Sequence, residues 1–458
     1  MVIRILLIAA VAALEALPVR PVAPPAGAVL MISIDGLRPD YVLGADRLGL
    51  RIPTLRRFVA KGSYATGVRG VTPTVTYPSH TTLVTGVAPA RHGILANTTF
   101  DPLGRNQGGW YWYASDLRVP ALWDLAARGG LPTASVNWPV TVGARITWNI
   151  PEYWRAGTED DRKLLAALAT PGLVRSLERT LGPYPGSLEA TVEGDRARGR
   201  FAEAILRAHR PRLMLVHLSA LDHEEHQSGP FSPASLATLE ALDSVVAELV
   251  GAADRAAGGR ATVAIVSDHG FLPVERELEL GVALRRAGLL TFDSDTASRP
   301  SDWAAAFWPS GGSAAVMVKD RADTVRLGRL RALLASIAVE PANGIASVID
   351  ADSLRALGGF PGAAFLVNMR SGFTTGGRTT GPLMTTATSR GGHGQLPDVP
   401  EMRASLFLVG PSVPAGRSLG VVDMRDVAPT LAHLLGLAVP GAEGRNLLRG
   451  RRATGPLP

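Results

Sequence analysis

AVLMISIDG, residues 28–36, is an almost wholly apolar run that ends abruptly in Asp35 and Gly36. A run this short, bounded by turn residues and carrying no polar face, reads as a strand covered on both sides. The design recurs in TASVNW (133–138), RLMLVHLSA (212–220) and ATVAIVSDHG (261–270). Between these runs, residues near 52–61, 120–129, 160–182, 196–210 and 233–252 carry the spacing of helices with one apolar face. Strands alternating with helices predict an α/β fold with a mostly parallel central sheet and helices on both faces. Such sheets bind ligands beyond the carboxyl ends of their strands. Asp35, Asp222 and Asp268 each fall just after a strand-like run.

Outward from this core the pattern changes. Residues 272–391 interrupt the alternation with Gly- and Ser-rich joints and a strand-like AAFLVNM, and read as an insertion or cap. The core resumes with SLFLVG (405–410) and a helix over MRDVAPTLAHLLGL (424–437). One catalytic domain over 28–448 is the expectation, followed by a flexible tail at 449–458. At the other end, Arg4 precedes the apolar ILLIAAVAAL and a Pro/Ala-rich stretch, so residues 1–27 read as a signal peptide with a linker. The apolar run is shorter than the ~20 residues a membrane span requires. An exported protein, periplasmic or secreted, with no transmembrane span in the mature chain, is expected.

The 458 residues are 46% hydrophobic and 19% charged, a composition suited to a folded globular chain. The net charge of +7 comes almost entirely from scattered arginines, with lysine only at Lys61, Lys163 and Lys319. No dense basic run exists, so no specific nucleic-acid partner is expected. Cysteine is absent, which excludes disulfides, thiolate metal sites and cysteine nucleophiles. Asp, His and Thr remain for chemistry.

Those residues cluster in short segments. In Asp222-His-Glu-Glu-His226 the spacing of four puts Asp222 and His226 on one side of a helical turn. VSDHG delivers adjacent Asp268 and His269 from a strand into a turn, and GGHG offers His393. A cap or a solvated helix face explains any one segment. Acids and imidazoles converging from several strand ends are harder to obtain that way, and the mixture suits zinc. Two such ions would serve phosphoryl transfer. TPTVTYPSHTTLVTG supplies hydroxyls just before a helix-like stretch, whose N-terminus favours an anionic phosphate. Spacing alone does not separate Thr72, Thr74, Thr76 and Ser79. Tyr77, Tyr153 and Trp154 are candidates to hold a base or other leaving group, and the cluster Trp110 to Tyr113 is a candidate lining for the site mouth.

Together, IDGLRPDY, PTVTYPSHTTLVTGVAPARHGI, NWP, LDHEEHQSGP, VSDHGF and GGHG resemble the alkaline phosphatase superfamily, and most closely its nucleotide pyrophosphatase/phosphodiesterase family. The resemblance implies two Zn²⁺ per chain, one held by Asp35, Thr76, Asp268 and His269 and the other by Asp222, His226 and His393. It implies that Thr76 is the nucleophile, passing through a phosphothreonine, and that Asn97 binds a phosphoryl oxygen. Phosphodiester or pyrophosphate hydrolysis of small-molecule, nucleotide-type esters follows from it. The chain departs from the family at Ser79 and at Trp138 to Thr141. The Lys-x-Arg pair of related monoesterases is missing from the 137–154 region, where Arg145 is the nearest cation. A monoesterase or phosphonate hydrolase using the same ligands is the alternative, and a metal-stabilised binding protein without turnover is the reading from outside enzymology.

Overall fold

The computed structural model describes residues 27–106, 108–294 and 296–449. The expected signal segment, up to residue 26, and the tail from 450 onward lie outside them. Alternation within the strand Ala28–Ile34 organises everything else. Val29 and Met31 face one apolar layer, built from the helices Thr76–Thr85, Leu122–Arg128 and Val427–Leu434. Leu30, Ile32 and Ile34 face the other, against Pro53–Lys61, Val192–His209 and Pro233–Ala257. A strand buried on both faces has no polar alternation, and that is how its run reads in the sequence.

The central sheet has eight strands. Ala28–Ile34 lies at its middle, parallel to Leu213–Leu218 on one side and Ala261–Val266 on the other. Thr133–Val136 and Trp148–Ile150 continue in parallel on the first side. On the second side Leu406–Val409 runs antiparallel, followed by the short strands Ser63–Tyr64 and Arg417–Ser418. The mostly parallel α/β architecture read from the sequence is the one observed. The three central strands therefore end side by side at the same edge.

One expected helix differs. Residues 160–182 form two helices, Glu159–Leu168 and Leu173–Leu181. Pro171 lacks the N–H a continuous helix would use, and Gly172 sits at φ +77, so the chain turns between them.

Within 272–391, Ala305–Ser310, Ser313–Val318, Ile345–Asp350 and Ala363–Met369 form an antiparallel sheet. The helix Thr324–Ala338 shares an apolar cluster with it. A second small sheet ties this region to the core. Leu272–Leu278 leaves Asp268 and His269, and pairs antiparallel with Gly391–Gly392 in the register Gly391 to Pro273 and Gly392 to Leu272. That register carries the following residue, His393, back beside His269. The approach requires a bare backbone, since a Cβ on Gly391 would lie 2.4 Å from the Glu225 carbonyl oxygen.

Candidate metal centre and nucleophile

Asp35, Asp222 and Asp268 with His269 follow the three central strands at their carboxyl edge. Asp222 lies in the first turn of the helix Ala220–Ser228, which also carries His226. His269 Nε2 lies 3.0 Å from Asp268 Oδ2, 3.3 Å from Asp35 Oδ1 and 4.0 Å from Asp222 Oδ1. Asp222 Oδ1 is also 3.5 Å from His226 Nε2 and 3.7 Å from His393 Nε2. The rings of His269 and His393 stack with centroids 3.6 Å apart. Six of the seven side chains named as ligands, all but Thr76, thus meet in one place. His269 stands between Asp35 and Asp268 on one side and Asp222 and His393 on the other.

The donor atoms fit a divalent metal. Each imidazole has Nδ1 within hydrogen-bonding distance of a backbone carbonyl: His226 with Gly391 at 2.9 Å, His269 with Gly270 at 3.2 Å, and His393 with Thr74 at 3.1 Å. A carbonyl can only accept, so in the neutral ring Nδ1 carries the proton and Nε2 keeps its lone pair for the cluster. Asp35 Oδ1, Asp222 Oδ1, Asp268 Oδ2 and His269 Nε2 are buried without a hydrogen-bond partner. Groups like these are costly to bury unless something binds them. Burial, with the charges of Asp268 and Asp222, pushes the Asp35 carboxyl well above the usual carboxylate range. Burial alone would lower His269, but Asp268, Asp35 and Asp222 together outweigh it and push the ring up to about 10, so without a cation Nε2 holds a proton that a bound metal would displace. Negative charge is in surplus here, which a cation would relieve.

Gly36 lets the backbone pass close to this cluster. Its N–H donates to Asp268 Oδ1 at 3.2 Å, its φ is +75, and a Cβ there would sit 2.8 Å from Glu225 Oε2. Within the helix Ala220–Ser228, His223 is exposed and bonded to Gln227. Glu225 points the other way, fully buried, accepting from the Tyr41 hydroxyl at 2.6 Å.

Exposure separates the candidate hydroxyls. Across residues 71–89, Thr76 alone is not buried. Thr74 is enclosed and donates to the Gln395 carbonyl at 2.6 Å, and Thr72 and Ser79 are buried. Thr76 is the first residue of the helix Thr76–Thr85, preceding Pro78 in a turn where no backbone N–H is needed inside the helix. The Tyr77 N–H donates to Asn97 Oδ1 at 2.9 Å, which leaves the Asn97 NH₂ free to donate elsewhere. His80 joins this helix to the cluster. Its Nδ1 is 2.9 Å from the Thr76 carbonyl and 3.6 Å from Asp268 Oδ2, and its Nε2 is 2.9 Å from Ser33 Oγ. Burial lowers its pKa to about 3, so the ring is neutral.

The aromatic candidates form one cluster with a covered floor and an open rim. Tyr77 is fully buried and Tyr153 nearly so. Trp110 and Trp154 are half-buried, 4.8 Å apart between ring centroids, and Trp110 packs edge-on to Tyr77 at 5.2 Å. Tyr111 is half-buried as well and Tyr113 is exposed, so Trp110 and Trp154 are two of the rings open to a ligand. Arg145 is exposed, and it enters none of the ion pairs at the cluster.

Neither His217 nor Glu152 is among the candidates that the sequence singles out. His217 bonds Asp35 directly, at 2.9 Å from Oδ2. The available signal was a lone His inside the apolar LMLVHL of a central strand.

Fold and site together define an α/β protein with a buried carboxylate–imidazole cluster that could hold a metal ion, and a threonine at a nearby helix N-terminus. A family profile for type I phosphodiesterase / nucleotide pyrophosphatase matches residues 29–367, well over half the chain. The chain belongs to that family. Among curated relatives, it is 24% identical over 252 residues to ectonucleotide pyrophosphatase/phosphodiesterase family member 3 of Rattus norvegicus, covering 53% of this chain and 25% of the relative. It is 24% identical over 265 residues to family member 1 of Homo sapiens, covering 54% and 24%. The chain spans about a quarter of the length of these relatives. Among solved structures, murine ectonucleotide pyrophosphatase/phosphodiesterase 5, an inactive Thr-to-Ala variant in complex with AMP, aligns with a TM-score of 0.65 at 19% identity. That alignment covers 91% of this chain and 97% of the other, and shows a shared fold.

Proposed function

We propose that the chain hydrolyses phosphodiester or pyrophosphate bonds of small nucleotide-type esters, with Thr76 as nucleophile and two Zn²⁺ as cofactors. The observation that carries this reading is the pairing of unpartnered, buried donor atoms on Asp35, Asp222, Asp268 and His269 with a single accessible hydroxyl at a helix N-terminus. Asp35, Thr76, Asp268 and His269 would hold one ion, and Asp222, His226 and His393 the other. When bound, zinc supplies Lewis acidity: it eases loss of the Thr76 proton, polarises the phosphoryl group and offsets charge on the departing oxygen.

The chain's own residues supply the rest. Thr76 Oγ1 attacks phosphorus in line and the ester oxygen leaves, giving a phosphothreonine. The Asn97 NH₂ and the N–H groups of the first turn donate to a non-bridging oxygen, where charge develops. Water then attacks phosphorus, the Thr76–phosphorus bond breaks, and the oxygen regains its proton. Two in-line displacements retain configuration at phosphorus. Trp110 and Trp154 offer rings against which a leaving group can stack. AMP in the murine neighbour supports a nucleotide-type ligand.

The absence of a Lys-x-Arg pair, with Arg145 exposed, favours a diester over a monoester. We further read 28–448 as one catalytic domain, 272–391 as its cap region and the N-terminal segment as an export signal. Among the described residues, no helix is long and apolar enough to cross a membrane. The deciding test is kcat/KM for bis-p-nitrophenyl phosphate against p-nitrophenyl phosphate on zinc-loaded protein. A ratio well above one is expected, and a ratio well below one would make the protein a monoesterase.

A further inference from the structure

His217 is enclosed at 1% exposure, and all its near polar neighbours are acceptors. Asp35 Oδ2 lies 2.9 Å from Nε2, the Asn137 carbonyl oxygen 3.1 Å from Nδ1, and Glu152 Oε1 3.6 Å from Nδ1. The Asn137 carbonyl cannot donate, nor can Asp35 once it is ionised as a metal ligand must be, so the ring satisfies both sides only by carrying an N–H on each nitrogen. It thereby differs from His226, His269 and His393, whose Nε2 atoms face the cluster. Asp35, His80 and His217 are also close enough to hold an ion, but with a proton on each nitrogen His217 has no lone pair to give; it grips one oxygen of Asp35 and leaves the other, Oδ1, without a partner.

Glu152 sits behind this contact. It follows Pro151 at the end of the strand Trp148–Ile150 and is 5% exposed. Its Oε2 has no hydrogen-bond partner among the described residues. The nearby guanidinium of Arg198 gives both terminal nitrogens to Asp195, Ser219 and the carbonyls of Gly186 and Ser187, and reaches Glu152 through charge alone. The interactions of Glu152 are with the His217 ring, the Tyr77 hydroxyl and, through charge, Arg198, and of these only His217 leads to the cluster; a carboxylate so enclosed is an expensive group for a core. It is explained if the charge fixes that imidazole. Carboxylate, imidazole and carboxylate then stand in a row: Glu152, His217, Asp35.

We propose that Glu152 is a positioning residue for Asp35: acting through His217, it holds Asp35 Oδ2 in place and so presents Oδ1 to the metal. The proposal rests on Asp35 being a metal ligand and does not depend on which ester is hydrolysed.

The test uses the full chain and zinc alone. Affinities of the two zinc-binding events are measured by competition with a chromophoric chelator for wild type, Asp35→Asn, Glu152→Gln, His217→Gln and the Glu152→Gln/His217→Gln double variant. Thermal unfolding of the chelator-treated proteins serves as the fold control. Glu152→Gln should weaken one event 10- to 100-fold, the range for lost support of a metal ligand, and leave the other within twofold. In the His217→Gln background it should cost nothing further, because its effect passes through that ring. Wild-type affinities in Glu152→Gln, or additive losses in the double variant, would overturn the proposal. So would unchanged zinc binding in Asp35→Asn. If Glu152→Gln lowers the folded yield, Glu152→Asp, which withdraws the carboxylate by one methylene, is judged by the same criteria. Because no substrate is involved, a protein that hydrolyses no phosphoester but shows the Glu152 effect would refute the proposed function and leave this inference standing.

Discussion

Stripping the metal should cost the fold several degrees, and the size can be worked from the site. Asp35 Oδ1, Asp222 Oδ1, Asp268 Oδ2 and His269 Nε2 are buried and unpartnered. Leaving a buried polar group unsatisfied costs about 1–3 kcal/mol, so the four together put roughly 4–12 kcal/mol within reach of a bound cation. Mass action bounds the observable part: free zinc at about 1,000 times its dissociation constant stabilises by about 4 kcal/mol per site. With an unfolding entropy of about 2 cal/mol/K per residue over roughly 400 residues, each 4 kcal/mol moves Tm by about 5 °C. Chelator-treated protein should therefore melt about 5–10 °C below protein carrying both ions, and titrating zinc back should restore the transition in proportion to metal content. Scanning calorimetry beside elemental analysis reads both quantities. A Tm that stays within 1 °C on removal, with no zinc retained from a zinc-containing buffer, would mean that the cluster is not a metal site and that water or protons satisfy its orphaned atoms.

Three further outcomes follow from individual side chains. Thr76→Ala should lower turnover by at least about 10³-fold with zinc retained. Thr74→Ala should keep turnover but lose about 1–3 kcal/mol in denaturant unfolding, since it strands the buried Gln395 carbonyl that Thr74 Oγ1 contacts at 2.6 Å; the opposite pattern would move the nucleophile. Trp154→Ala should raise KM for nucleotide esters more than for p-nitrophenyl esters, because it removes one of the open rings of the aromatic cluster, and equal changes would argue against stacking there. His92 is buried with Nε2 3.1 Å from Thr82 Oγ1, and burial lowers its pKa to about 3. Its folded pKa lies below the unfolded value near 6.5, so the unfolded state binds the extra proton. Stability is full above about pH 6.5 and falls towards pH 3, by at most ~1.4 kcal/mol per pH unit. His92→Gln should flatten that slope by up to one proton, and a difference from wild type that does not vary with pH would refute the burial argument.

The parts of this molecule that were legible in the sequence are those fixed by neighbours along the chain. A strand buried on both faces is apolar throughout, so AVLMISI and ATVAIV announce themselves, and the first polar residue after each must emerge at the sheet edge. Asp35, Asp268 and His269 are where that reasoning puts them. Boundaries set by backbone chemistry were half legible: Pro171 and Gly172 stood in view within the expected 160–182 helix, but apolar spacing on either side masked the break. The antiparallel direction of Leu406–Val409 leaves no mark on its own residues, because a buried edge-to-core strand is equally apolar either way.

What stayed hidden depends on partners far apart in sequence. His393 is separated from His269 by the whole cap region, and it reaches the cluster only through the pairing of Gly391–Gly392 with Leu272 and Pro273. GGHG marks it as unusual without saying where it lands. The polarity of a buried group has meaning only once its partner is known. His217 looks like a core histidine until Asp35 is found on one side and Glu152 on the other, and Glu225 looks like a solvated helix acid until Tyr41 is found against it. The residues proposed to hold metal are therefore easier to read than those that aim them. Ligands are forced to strand ends by the architecture of the sheet, whereas their supports can come from any element that happens to pack behind. This asymmetry makes the Glu152–His217–Asp35 row the sharper test of the structure: the end of an apolar strand marks Asp35 in the sequence, whereas only the folded chain brings the two groups behind it into line.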